Sequence, residues 1–327
     1  MTSTLSPASF NITSIVNQTE ASKSVDSVTI YESAFYFSAG SLGTVFNSLV
    51  LFIALKYVNS DDKPRQILVF NMTIADLLFS VVYVLTRPFL NIFPIFLCKP
   101  YYIIIWTVQL CSTLNLVWLN LDKLIFIQYP LHYYQLVNRY KVLILSIITW
   151  SFLTILAFSV SLFMDASLGC TRVQLDMNIY LPICILYAVM ILTSFIISAI
   201  IYFVAHTSSK MEERQRSGVY KRLFFLFSST LWTFFTCLPY RVLYLTNMLC
   251  GSCRSSVLND ATNFFFRILV IGTIINPLIT IWTQRIYRVS FLKLFGKKKP
   301  VNHMLITANV REKDSTTGRA CRSKSTV

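Results

Sequence analysis

The sequence predicts an all-α membrane protein, a bundle of seven transmembrane helices followed by a short amphipathic eighth helix. Three observations carry that expectation. Of 327 residues, 55% are hydrophobic and 13% charged, with a mean hydropathy of +0.60, against about 25% charged in ordinary soluble domains. The apolar residues gather in seven stretches, each long enough to cross a hydrocarbon core of ~30 Å as a helix. The Lys and Arg residues crowd alternate connections and the tail, as membrane topology requires. The net charge of +15 is therefore a topological feature and not a phosphate-binding face, and no nucleic-acid partner is expected. One bundle with short connections also leaves little chain for a second folded domain.

The head, residues 1–33, is polar and Ser/Thr-rich, without a charged-then-apolar signal peptide. Its sequons Asn11-Ile12-Thr13 and Asn17-Gln18-Thr19 make Asn11 and Asn17 glycosylation acceptors, which places the head outside the cell. The helical domain is expected over 34–295 and a cytoplasmic, disordered tail over 296–327. The first helix covers 34–57 and carries Gly43 and Asn47. Pro64 turns the chain into the second, 67–92, where Asn71-Met72-Thr73 is a false sequon because it lies within the membrane. The third covers 99–126, starting just after Cys98, and the fourth 142–164. The fifth covers 179–204. A basic connection from His206 to Arg222 leads into the sixth, which ends near Met248 and holds Pro239, tolerable in a bundle because neighbours satisfy the freed carbonyl. The seventh covers 261–282. From 285 to 295 basic residues alternate with Ile286, Phe291, Leu292, Leu294 and Phe295, the pattern of a helix lying on the membrane surface, and Lys297, Lys298 and Lys299 extend its attraction to anionic lipid.

Lys63, Arg65, Arg139, Lys141 and the basic cluster before the sixth helix fall on one side, which the positive-inside rule makes cytoplasmic. The protein is thus expected in the cell membrane with its N-terminus outside and its C-terminus inside. Of the eight cysteines, Cys98, Cys170, Cys250 and Cys253 fall in extracellular connections, where bridges persist. A short local disulfide between Cys250 and Cys253 is expected there in place of a redox or zinc motif. Cys111, Cys184 and Cys237 lie in apolar segments as small hydrophobes. No triad, metal cluster, phosphate loop or inverted repeat stands out, so neither an enzyme nor a transporter is expected.

The stretch from Asn120 to Tyr133, NLDKLIFIQYPLHY, carries Asp122, Lys123, Ile127, Pro130, Leu131 and Tyr133 at the spacing of D-R-Y-x-x-I-x-x-P-L-x-Y. Asn47, the run from Asn71 to Asp76, Trp150, Tyr202, Pro239 and Asn276-Pro277 stand at matching landmarks. In these the chain resembles the rhodopsin-like (class A) G-protein-coupled receptors, of a peptide-type or orphan kind. The resemblance implies a disulfide from Cys98 to Cys170. It also implies a sodium ion and water network at Asp76 with Asn47, Ser112, Thr273 and Asn276, although Gly272 stands where an asparagine is usual. It implies coupling to a heterotrimeric G protein through Asp122, Lys123, Pro130, Leu131 and Tyr202, with arrestin as a further cytoplasmic partner. The chain departs from the family pattern at several points. Lys123 replaces the arginine, keeping the charge and losing the planar fork. Cys237 replaces the switch tryptophan, Thr280 the tyrosine of N-P-x-x-Y, and Ser194 the proline of the fifth helix.

Ile105 stands where amine receptors carry their aspartate, so an amine ligand lacks a counter-ion. Arg87, Arg241 and Arg267 instead lie in outer helical halves, where a charge within a span is a functional candidate. Snorkelling, or pairing with Asp165 or Asp260, is the alternative reading for Arg87 and Arg267. Arg241 with either of the others is expected to bind a carboxylate, in a cavity also lined by Trp106, Gln109, Tyr244 and Phe266. The ligand expected is a neuropeptide or other peptide, with an acidic small molecule or lipid as the alternative, and a transporter or non-signalling scaffold as the reading from another class. Ser325-Thr326-Val327 suits strand addition to a PDZ domain through Val327, a short match that chance also supplies.

Overall fold

The computed structural model describes residues 30–57, 64–129, 132–167, 169–170, 174–175, 177–207, 213–250 and 255–294. The glycosylation acceptors Asn11 and Asn17, the motif residues Pro130 and Leu131, Cys253 and the tail to Val327 lie outside them. Residues 1–288 form one compact unit. Residues 289–327 form a second, described as far as Leu294 at the end of the last helix.

The helices are α1 (Ile30–Tyr57), α2 (Arg65–Leu78), α3 (Ile95–Gln128), α4 (Arg139–Ser161), α5 (Met177–Thr207), α6 (Glu213–Leu249), α7 (Ser256–Thr283) and α8 (Arg285–Leu294), with a single helical turn, Tyr133–Leu136, between α3 and α4. Among the described residues six helices are long and apolar enough to cross a membrane. Their outer faces are apolar: on α4, Ile147, Ile148, Phe152, Ile155 and Phe158 are all exposed, which only a hydrocarbon surround makes favourable. α3 packs against α2, α4, α5 and α6, while α1 closes on α7 and α6 joins α5 to α7. With 34 residues, α3 is roughly 50 Å long at about 1.5 Å per residue. It is longer than the ~30 Å hydrocarbon core, so it tilts within it or projects beyond it.

Polar side chains pin the helices where apolar packing alone would let them slide. Asn47 of α1 donates to the carbonyls of Gly43 at 2.8 Å and of Thr273 on α7 at 3.0 Å. Asn71 of α2 donates to Ser146 of α4 at 2.6 Å. A Cβ at Gly43 would lie 2.7 Å from Ser80 Oγ and 2.9 Å from Thr273 Oγ1, so this glycine lets α1, α2 and α7 meet backbone to side chain. At the inner end Tyr287, buried at the start of α8, donates to Gln66 Oε1 of α2 at 3.2 Å. Burial raises its phenol pKa.

The helix boundaries differ from those read in the sequence: α1 starts at Ile30, within the stretch read as the head, α4 at Arg139 and α7 at Ser256, and three further differences move residues singled out above. The outer part of the second span is not α-helical: it passes through a π-helical stretch, Phe79–Val84, and then a 3-10 stretch, Arg87–Ile92, with Pro88 in its first turn. Pro88 has no N–H to continue an α ladder. α3 begins at Ile95, straight after Pro94, so Cys98 lies inside the helix and not in the connection before it. α6 begins at Glu213, which puts Lys221 and Arg222 on a helix instead of in a loop.

Outside the bundle, β1 (Met164–Asp165) pairs antiparallel with β2 (Gln174–Leu175). Cys170, between them, is disulfide-bonded to Cys98, and Tyr102 of α3 donates to the Cys170 carbonyl at 2.9 Å. The exposed Asp165 accepts from the Ser167 N–H at 2.9 Å, which holds its carboxyl below the usual carboxylate range. Cys250 is also disulfide-bonded.

Candidate functional site

At the outer end, Arg241 follows Pro239 by two residues on α6 and is 9% exposed. Its Nη2 donates to Gln109 Oε1 of α3 at 2.9 Å. Its guanidinium carbon lies 4.3 Å from the Tyr187 ring centre and 5.3 Å from that of Tyr240. The partner is a neutral amide, not a carboxylate, and Nε is buried with no hydrogen-bond partner. Aromatic faces favour a cation by about 0.5–2 kcal/mol each without neutralising it. A cavity of about 20 Å³ beside it is lined by Trp106, Gln109, Tyr180, Cys184 and Tyr187, between α3, α5 and α6.

Arg87 is half-buried in a second aromatic cage. Its Nη1 donates to Tyr83 Oη at 2.7 Å, and its guanidinium carbon lies 4.7 Å from the Phe266 ring centre and 5.1 Å from that of Tyr36. Phe266 and Tyr240 sit 5.3 Å apart, so one aromatic pair joins the two cages. Tyr244 continues the wall, 5.7 Å from Tyr180 and 5.9 Å from Tyr240. Ile105 is buried but lines neither cavity described here. Arg267 does not join the two cages: one residue, or about 100°, beyond the buried Phe266, it is turned outward and exposed.

Deeper in the bundle lies a chamber of about 70 Å³ whose wall includes Asp76, Ser112, Trp232, Cys237, Gly272 and Asn276. That is room for a few waters. Asp76 is buried, and its two carboxylate oxygens accept from Ser112 Oγ at 2.7 Å and Asn276 Nδ2 at 3.2 Å. Thr273 stands close by, but its hydroxyl donates to the Val270 carbonyl of its own helix at 2.8 Å. Asn47 reaches the network through the Thr273 carbonyl. The Asp76 carboxylate, the Ser112 oxygen and Asn276 Oδ1, buried with no partner, are hard oxygen donors that fit a monovalent cation shared with water. A Cβ at Gly272 would lie 3.1 Å from Trp232 Nε1, so the Trp232 indole takes the volume an asparagine side chain would need. Gln109 and Tyr187 line both the chamber and the Arg241 cavity, forming a common wall.

At the inner end of α3, Asp122 Oδ1 accepts from Tyr133 Oη at 2.6 Å, while Oδ2 is buried without a hydrogen-bond partner. Lys123 is buried with its Nζ 5.1 Å from the Phe126 ring centre. The hydroxyl of Thr280 donates to the Asn276 carbonyl at 3.0 Å, so it is satisfied within α7. Tyr202 is 52% exposed, its ring stacked 6.0 Å from that of Phe227.

A protein-family model described as the 7 transmembrane receptor (rhodopsin family) matches residues 46–279. This chain belongs to that family. It is also 57% identical, over 276 residues covering 84% of this chain and 86% of the other, to the G-protein coupled receptor aex-2 of Caenorhabditis elegans.

The receptor is therefore a multi-pass membrane protein and not an enzyme, and the transporter alternative is set aside. Its structure brings together Asp76, Ser112 and Asn276, and it brings Arg241 to Gln109. Arg87 stands in a neighbouring cage with Phe266. Two groups of residues were not singled out from the sequence. Trp232 fills the space left by Gly272, and Asn120, Ser194 and Thr230 join three helices in the inner half. Only the unusual Gly272 and Ser194 hinted at them.

Proposed function

We propose that the receptor is opened by an extracellular peptide bearing a free carboxylate, and that it activates a heterotrimeric G protein from its cytoplasmic face. The observation that carries the ligand class is Arg241, a guanidinium nine-tenths buried whose Nη2 bonds to a neutral amide while its Nε has no partner. Carrying that charge in the bundle costs several kcal/mol unless an anion offsets it, and a carboxylate can take two parallel N–H bonds from it. The aromatic walls around Tyr240, Tyr244 and Trp106 suit apolar side chains next to that carboxylate. The G-protein partner is supported by the family and by the relative's description. The small volume beside Arg241 favours a second reading, an acidic small molecule or lipid entering by its headgroup.

In this reading a sodium ion held by Asp76, Ser112 and Asn276 supplies a counter-charge within the chamber, and the tail offers its hydroxyls to arrestin and Val327 to a PDZ domain. The test is a G-protein activation assay on surface-expressed receptor, with matched free-acid and amidated peptide libraries and a fatty-acid panel. Free-acid peptides should activate. Arg241→Ala should lower their potency about 10²-fold or more, as loss of a buried charge-assisted pair does, and Arg241→Lys should restore it in part. Equal potency of amidated and free-acid peptides, or full response of Arg241→Ala, would overturn the assignment.

A further inference from the structure

One turn outward of Lys123, three helices meet on a single side chain. Asn120 of α3 is 0% exposed. Its Nδ2 donates to Ser194 Oγ of α5 at 2.7 Å, to Thr230 Oγ1 of α6 at 3.1 Å, and to the Ser194 carbonyl at 3.3 Å. Two amide hydrogens serve three acceptors, so one bond is shared. Ser194 and Thr230 are themselves buried, and Asn120 Oδ1 is buried with no hydrogen-bond partner. The knot is thus polar, buried and only partly satisfied, on a helix whose adjacent Leu116 and Leu119 are also buried.

Its position gives it leverage. α6 packs extensively on α5 and α7, and only sparsely on α3, so the bond from Asn120 to Thr230 is a direct tie between α3 and α6. Ser194 can take part because α5 runs on through this level with no proline; Pro182 is its one proline, near its outer end. A serine in a helix keeps its N–H and adds a hydroxyl, where a proline would give neither. A receptor can report an outer ligand only by rearranging its inner ends. Any rearrangement that parts α6 from α3 breaks this bond and leaves the Asn120 amide only its two acceptors on Ser194.

We propose that Asn120 is a positioning residue that holds α6 against α3 and α5 in the resting receptor, and so sets the ligand-free balance between resting and active arrangements. Removing one partner leaves both arrangements foldable and shifts the balance toward the active one. The inference is independent of what the outer cavity binds. Interhelical hydrogen bonds within a bilayer correspond to roughly threefold to twentyfold in such an equilibrium.

The experiment measures ligand-free nucleotide exchange on a panel of G proteins, per receptor at the cell surface, together with hydrogen exchange of α6 in the purified full-length receptor. Thr230→Val, isosteric but without a hydroxyl, and Asn120→Ala should each raise basal activity, and speed exchange in α6 inward of Thr230, by that threefold to twentyfold. Thr230→Ser, which keeps the hydroxyl, should stay at the wild-type level. So should Ser159→Ala, which removes an exposed hydroxyl of α4 that bonds only to the Ile155 carbonyl of its own helix and lies outside both the knot and the chamber. A merely structural role would lower thermal stability in Thr230→Val and leave ligand-free nucleotide exchange at the wild-type level. Equal hydrogen exchange in Thr230→Val and wild type would overturn the proposal, even if no G protein in the panel responds.

Discussion

A carboxylate in the middle of a lipid-spanning helix must be offset by partners or by a counter-ion, and Asp76 has two partners within hydrogen-bond reach. Its two neutral donors, Ser112 and Asn276, stabilise the ionised form without cancelling its charge. A cation in the chamber would complete the arrangement. Asp76→Asn keeps the shape and removes the charge, so the fold should survive, with a melting temperature equal to the wild type's or higher. What should be lost is sodium dependence. Sodium at ten times its dissociation constant stabilises the binding state by RT ln 11, about 1.4 kcal/mol. Exchanging sodium for a bulky organic cation should therefore lower the wild-type melting temperature and leave that of Asp76→Asn unmoved. A wild-type receptor indifferent to the exchange would end the sodium reading. Asp76 was legible in the sequence because a charge within an apolar run stands out, and Ser112 and Asn276 because the resemblance to the family places them beside it. Trp232 and Asn120 were not, since a tryptophan or asparagine within an apolar run looks the same whether it faces lipid or core until the rotation of its helix is known.

At the scale of elements, a covalent tether joins α3 to the β1–β2 hairpin at the outer rim. The bond from Cys98 to Cys170 closes a separation of 72 residues, which in free-chain terms corresponds to about 4 kcal/mol. The real figure must be smaller, because α3 and α4 remain helices in the bilayer when tertiary packing is lost and the loop is never a free coil. Cys170→Ser should therefore lower the melting temperature of detergent-solubilised receptor by several degrees and not abolish folding, while loosening the β1–β2 hairpin from α3. A melting temperature equal to that of the wild type would show that the Tyr102 bond to the Cys170 carbonyl is enough to hold the loop. The pairing was legible; its placement was not. Pro94 starts α3 a full turn before Cys98, and the apolar residues between them read equally well as loop or helix. The sixth helix was misread for a related reason. Its inner end is polar and basic, so the sequence showed a loop where the helix already runs from Glu213.

For the whole molecule the decisive property is parity. Six helices are apolar enough to cross a membrane by composition alone among the described residues. α6 carries Pro239 and the buried Arg241, so its insertion leans on its neighbours, with Gln109 of α3 and Tyr187 of α5 beside the charge. If α6 crosses, the spans are odd in number and the two termini face opposite sides; if it does not, they face the same side. The loop charges favour crossing, since Lys63, Arg65, Arg139 and Lys141 then share the cytoplasmic side with the basic inner end of α6 and with Arg285 and Arg288. An epitope tag ahead of Met1 should accordingly be labelled on intact cells, and one after Val327 only after permeabilisation. Asn11→Gln with Asn17→Gln should remove an endoglycosidase-sensitive mass shift. Labelling of both tags on intact cells, or of neither, would make the number of crossings even and dismantle the link between an outer Arg241 and an inner Lys123.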